Sequence, residues 1–169
     1  MPDPAIRNHL LVTADEAVRG LVVPCRGRLT DHLRTTAKHF LTVESAEETS
    51  FASAAKSTSA EALVAIEQVV WAHEYAAISG DDHQRRHYHP EDEEAVRLTL
   101  AHPTGLVIEG YVTASWLAAP SRFGVVREPR PVGLTPRAER HAAEMSGLRY
   151  IVVNRDVVAA VYFLDGNRP

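Results

Sequence analysis

Three histidines, His83, His87 and His89, share the run Asp81-Asp-His-Gln-Arg-Arg-His-Tyr-His89, the one cluster in the sequence with ligand character. His83 and His87 stand four residues apart, which puts them on one face if the segment is helical. His89 can join from the following turn, and Asp82 offers oxygen. Neutral imidazole and carboxylate are standard Zn²⁺ ligands, so the chemistry would be that of a metal-dependent enzyme. Against it, Arg85 and Arg86 repel a cation, Pro90 ends any helix there, and the spacing fits no defined metal motif. The competing reading is a solvated linker whose histidines are incidental. That reading is preferred, and no cofactor is expected.

Cys25 is the only cysteine. Nucleophilic work would need a lowered thiol pKa and a nearby imidazole. His32 and His39 are near in sequence, and Arg26 and Arg28 are flanking cations, but no local signature surrounds the thiol. A small buried or edge-strand role is preferred. The carboxylate runs Glu44–Glu48 and Glu91–Glu94 read as solvated faces, because paired acid and base groups need unequal environments. No P-loop, G-x-G-x-x-G or G-x-S-x-G motif occurs. The expectation is therefore a protein that is not an enzyme.

A third group is electrostatic. Arg122, Arg127, Arg130, Arg137 and Arg140 concentrate in one stretch, partly offset by Glu128 and Glu139. They form the candidate surface for an anionic partner, whether nucleic acid or an acidic protein; the alternative is an ordinary solvated face. Trp71 and Trp116 suit core packing better than partner contact.

Composition narrows the classes. The chain has 169 residues, 45% hydrophobic and 24% charged, with a formal charge of −4. A dedicated nucleic-acid binder would be basic. Nine histidines could carry the net charge to +5 if all were protonated. Sixteen of the eighteen basic residues are Arg, which fits a GC-rich coding sequence. One cysteine allows no internal disulfide, which suits a reducing compartment. The opening Met-Pro-Asp-Pro-Ala-Ile lacks the pattern of a secretory leader, and no apolar run reaches the length of a membrane span. The expectation is a cytoplasmic protein that does not enter membranes.

The elements that would position these residues come in two copies. Leu63-Val-Ala-Ile-Glu-Gln-Val-Val-Trp-Ala-His-Glu74 aligns without gaps on Ile151-Val-Val-Asn-Arg-Asp-Val-Val-Ala-Ala-Val-Tyr162 at an offset of 88, with four of twelve positions identical. Gly20 falls on Gly110 at an offset of 90, each inside an apolar run, as at a bulge or sharp bend. Such self-similarity sets architecture before any motif does. Copy one reads as strands at 8–13 and 17–24, a short helix from Thr30 or Asp31, a strand at 40–43, a variable loop at 44–61, and strands at 62–66 and 69–75. Copy two reads as strands at 96–100 and 106–112, a short helix at 113–119 ended by Pro120, a strand at 123–126, a variable stretch with a helix at 135–145, and strands at 150–153 and 157–163. The fold class is mainly β (α+β): two tandem small β-barrel-like units of about five strands and a short helix, packed as one body. The units span 8–76 and 96–164, with a polar linker at 77–95.

Five short strands with the variable region between the third and fourth resemble the Sm-like small barrels, and also uncharacterised bacterial proteins built of one or two such units. Leu63–Glu74 and Ile151–Tyr162 look like the second conserved motif of that family. The resemblance implies that the turns Glu67-Gln68 and Asn154-Arg155-Asp156 occupy the positions where Sm-like rings contact RNA bases. Here they replace the family's Arg-Gly, and the helix follows the second strand rather than preceding the first. The leading functional expectation is a protein-interaction, regulatory or scaffold module that self-associates. The alternatives are an RNA- or other nucleic-acid-binding protein and, last, the metal-dependent enzyme.

Overall fold

The computed structural model describes residues 8–25, 27–75, 93–118, 121–132 and 135–164. The chain divides into two compact units, Met1–Pro90 and Glu91–Pro169. Unit 1 contains β1 (Asn8–Val12), β2 (Glu16–Val23), α1 (Leu29–Thr35), β3 (Phe40–Ser50), β4 (Lys56–Ala65) and β5 (Trp71–Tyr75). Its strands are antiparallel, in the order β5-β1-β2-β3-β4. Unit 2 contains β6 (Glu93–Leu100), β7 (Val107–Thr113), α2 (Ala114–Ala118), β8 (Phe123–Pro131), α3 (Pro136–Met145), β9 (Tyr150–Asn154) and β10 (Val158–Phe163). Its order, β10-β6-β7-β8-β9, is the order of unit 1 when each strand is replaced by its counterpart. The protein is mainly β.

Alternation of apolar side chains builds each core. Val18 and Val22 of β2 and Leu41 and Val43 of β3 point inward, as do Val96, Leu98 and Leu100 of β6. β1 and β5 are buried along most of their length, Leu10, Leu11, Val12, Trp71 and Ala72 being fully enclosed. Each large apolar side chain so enclosed contributes about 1.5–3 kcal/mol relative to leaving it in water.

Gly20 and Gly110 mark the same device in both units. The β2–β3 register shifts between Arg19 and Leu21, and the β7–β8 register between Glu109 and Tyr111. Opposite each shift one non-glycine residue takes a left-handed backbone, Ser45 at φ 51° and Glu128 at φ 50°. A Cβ on Gly20 would lie 2.6 Å from the Glu44 carbonyl oxygen and from Val43 Cγ1, and one on Gly110 2.6 Å from Val126 Cγ1. The extra residue crowds the facing strand, and only glycine leaves room for it.

The matched segments Leu63–Glu74 and Ile151–Tyr162 correspond to the end of β4 or most of β9, a 3-10 turn at Ile66–Gln68 or Arg155–Val157, and then most of β5 or β10. The largest departure from the sequence reading is the variable loop of 44–61. It is instead a long hairpin, β3 running to Ser50 and β4 starting at Lys56. Ser, Thr and Glu rows suggest a loop, but the hairpin pairs Glu47 with Thr58, Glu48 with Ser57 and Thr49 with Lys56. Phe51, 5% exposed at its tip, donates its backbone N–H to the Asp15 carbonyl at 2.8 Å and ties the tip down.

The helices start by different means. Thr135 caps α3, its Oγ1 accepting from the Ala138 N–H at 3.2 Å. Neither Thr30 nor Asp31 caps α1, where Leu29 and Thr30 are already inside the helix and are buried. There the Glu74 carboxylate, from β5, accepts the Leu29 N–H at 2.6 Å. A buried carboxylate facing the positive end of a helix satisfies both groups.

Candidate interaction site

The outward face of β6, β7 and β8 collects the charged side chains of unit 2. Glu109 is held between Arg97 and Arg130: Arg97 donates through Nε at 3.1 Å and Nη2 at 2.7 Å, and Arg130 Nη2 donates to the other carboxylate oxygen. The Arg97 hydrogen bonds, followed by that of Arg130, hold the Glu109 carboxyl below the usual carboxylate range. Arg127 forms a fork on Glu93, Nε to Oε1 at 3.1 Å and Nη2 to Oε2 at 2.8 Å. It also bridges Glu128 at 2.8 Å and lies 4.7 Å from the centre of the Tyr111 ring.

This geometry changes the standing of the arginine group. Arg122 pairs with Asp156 at 2.9 Å, and Arg127 and Arg130 are engaged by Glu93, Glu128 and Glu109. Three of the five candidate arginines therefore meet carboxylates within their own unit. Arg137 and Arg140 stand on the exposed side of α3, whose buried residues Ala138, His141 and Met145 face the other way. The structure brings Arg127 and Arg130 onto one strand as part of a mixed-charge network. An incoming phosphate would have to displace those carboxylates.

The turn candidates are exposed at Glu67, Gln68 and Asp156, whereas Asn154 is fully buried. Asn154 Oδ1 accepts the Asp156 N–H at 3.0 Å, which shapes the turn. Arg155 donates to the Trp116 carbonyl at 3.3 Å. Both residues work inside the fold. Cys25 is half-buried between β2 and α1. The nearby His32 is held below the usual imidazole value by partial burial and then by the charge of Lys38. His83, His87, His89, the linker through 92 and Pro120 lie outside the described residues. Among the described residues, no group of three or more His, Cys, Asp or Glu side chains is arranged to hold a metal ion. Among them, too, no helix is long and apolar enough to cross a membrane. Trp71 and Trp116 are both core residues.

Sequence reasoning passed over a buried polar layer in unit 1. His9 on β1 lies directly across the ladder from Glu74 on β5, and both are buried. His9 Nδ1 accepts the Val22 N–H at 2.9 Å, so that nitrogen carries no proton in this arrangement. A histidine in an apolar strand gives no sign from sequence that it serves a backbone donor thirteen residues away. A second acidic contact joins Glu16 on β2 to Glu48 on β3. The hydrogen bond between the two carboxyls comes first, then burial and the charges of Glu48 and Asp15, and together they push Glu16 up to about 7.

The exposed apolar side chains are distributed unevenly. Leu63 on β4 is 62% exposed, Phe40 beside it on β3 is 52% exposed, and Tyr162 on β10 is 56% exposed, followed by Leu164 at 42%. Each unit has two terminal strands. β5 and β9 are buried at four of their five residues, whereas β4 and β10 are open.

Comparison with protein-family models, curated proteins and solved structures finds no match to this chain.

Proposed function

We propose that this protein is a non-enzymatic interaction scaffold, acting through protein–protein contact and associating with itself. The observation that carries this reading is the exposure of Leu63, Phe40, Tyr162 and Leu164 on or beside the terminal strands β4 and β10. Terminal strands of a sheet that carry exposed apolar side chains are ready templates for a partner. The carboxylates around Arg122, Arg127 and Arg130 argue against the RNA-binding alternative, because phosphate binding needs uncompensated positive charge. Within the same reading each unit is a small Sm-like barrel, supported by the paired bulges at Gly20 and Gly110 that bend β2 and β7. The test is capture of partners from the native cell on the tagged full chain, with and without nuclease. Proteins retained after nuclease treatment are the expected result. Loss of every partner on nuclease treatment would transfer the case to RNA, and binding to a mixed RNA pool would then fall steeply with salt.

A further inference from the structure

The outward face of β3 and β4 in unit 1 is laid out in three cross-strand rows. Phe40 faces Ala65, Thr42 faces Leu63, and Glu44 faces Glu61. The residues that alternate with them, Leu41, Val43 and Val64, are buried on the inner face. Phe40 and Leu63 stand on the diagonal of adjoining rows, within reach of each other, and both are exposed. They form one apolar pair on the face of the sheet, and the Glu44–Glu61 row adjoins it.

The charge on this face is one-sided. Glu44 and Glu61 are directly opposed and exposed, and like charges so placed repel. Among the described residues, no ion pair reaches either of them. Glu47, farther along β3, has Lys56 at 4.0 Å. Unit 2 treats the equivalent ladder positions differently. There Arg127 faces Tyr150 and is held by Glu93, while Phe123 and Val152 are enclosed. The repeat thus has a form of this face whose apolar residues are covered and whose charge is balanced, and unit 1 has neither.

We propose that this face of unit 1 docks a segment of another protein that is both basic and apolar. An apolar side chain of the segment covers Phe40 and Leu63, and an arginine or lysine meets the Glu44–Glu61 pair. One cation placed there removes the repulsion between the two carboxylates, so the contact that covers the apolar pair also balances the charge. Leu63 and Glu61 are two residues apart on one strand, so the partner's apolar and basic side chains need a spacing of about 7 Å. This rests on the protein-contact reading above and names the chemistry of the partner.

The test is selection of a random peptide library displayed on phage against the full chain at low salt. Binding of the enriched peptides is then measured by fluorescence anisotropy on the wild type, on Leu63→Ser, and on the double variant Glu44→Gln, Glu61→Gln. All three positions are exposed, so no core is disturbed, and circular dichroism checks that the fold is kept. The enriched peptides are expected to combine Arg or Lys with Leu, Phe or Trp. Leu63→Ser is expected to weaken them at least about tenfold. The double variant is expected to weaken them by a factor of about 2 to 30, a difference that shrinks as salt is raised. No enrichment, enriched peptides without a basic bias, or peptides held equally by the wild type and both variants would each overturn the proposal. A wild type that is dimeric by light scattering and becomes monomeric in Leu63→Ser would give the face to a second copy and overturn it too. Nuclease-resistant partners captured equally by the wild type and Leu63→Ser would overturn this face alone and leave the scaffold reading standing. Loss of every partner to nuclease would remove the scaffold reading itself, and this face with it.

Discussion

Arg19 faces Glu47 and Leu21 faces Glu44 beside the Gly20 bulge, whereas Glu109 faces Arg130 and Tyr111 faces Arg127 beside the Gly110 bulge. The backbones agree down to one left-handed residue apiece, Ser45 and Glu128. The charges are reversed in sign. What the two units share is therefore the geometry that only glycine permits, and what they do not share is the set of side chains displayed upon it. Reversal is tolerated because exposed ion pairs contribute little, about 0–1 kcal/mol each, while a methyl group driven into a backbone carbonyl has no equivalent substitute.

The comparison can be broken most decisively at the glycines. Gly20→Ala and Gly110→Ala are each expected to cost about 1–3 kcal/mol, through overpacking against Val43 and the Glu44 carbonyl or against Val126. Chemical denaturation measures this. A large loss at one site and none at the other would mean that the bulges are not the same device. Next comes the helix start that α1 borrows from a strand. Glu74→Ala is expected to cost about 1–3 kcal/mol, because the buried Leu29 N–H loses its acceptor. Glu74→Gln keeps a carbonyl oxygen there and should cost less.

The acids titrate in opposite senses. Glu16 stands at about 7 in the folded protein against 4.5 in the unfolded chain, so the folded state holds its proton more tightly. Its stabilising contribution is complete below pH 4.5 and is lost as pH rises through about 7. Glu16→Gln should therefore flatten the stability profile across that window and gain most over the wild type at alkaline pH. The Glu109 carboxyl is depressed, so its contribution is present above pH 4.5 and is lost as pH falls through its lower folded value. Thermal melts across pH for Glu16→Gln and Glu109→Gln should show these opposite slopes. The smallest effect is expected for Arg130→Ala, roughly 0–1 kcal/mol, because its side chain is 78% exposed.

The sequence displays strands well where apolar residues set the period and poorly where they do not. β1, β2, β6 and β7 carry dense Val, Leu and Ile, and the match between Leu63–Glu74 and Ile151–Tyr162 gives the closing strands of both units. The β3–β4 hairpin has polar residues on both faces beyond Glu44, so nothing in its composition separates it from a loop. The interior contacts are hidden for another reason. Glu74 reaches Leu29 across 45 residues and Arg127 reaches Glu93 across 34, so their pairing is a product of topology rather than of local spacing. The arginines were visible as a cluster of charge with Glu128 beside it, but the more distant partners Glu93, Glu109 and Asp156 were not. The open strands could be read only in part: the uncharged run 158–163 is plain in the sequence, but its exposure is not.

The bulge at Ser45 also acts as a change of phase. Before it, the odd-numbered residues Leu41 and Val43 face the core; after it, the even-numbered Ala46 does. Removing Ser45 alone would restore plain alternation, with Leu41, Val43 and Ala46 on one face and Glu44 and Glu47 on the other, so the deletion would leave each side chain on its present face while erasing the bend. Length at this point of the chain thus sets curvature rather than facing, and a library of single-residue deletions along β3 should find Ser45 better tolerated than the core positions Leu41 and Val43.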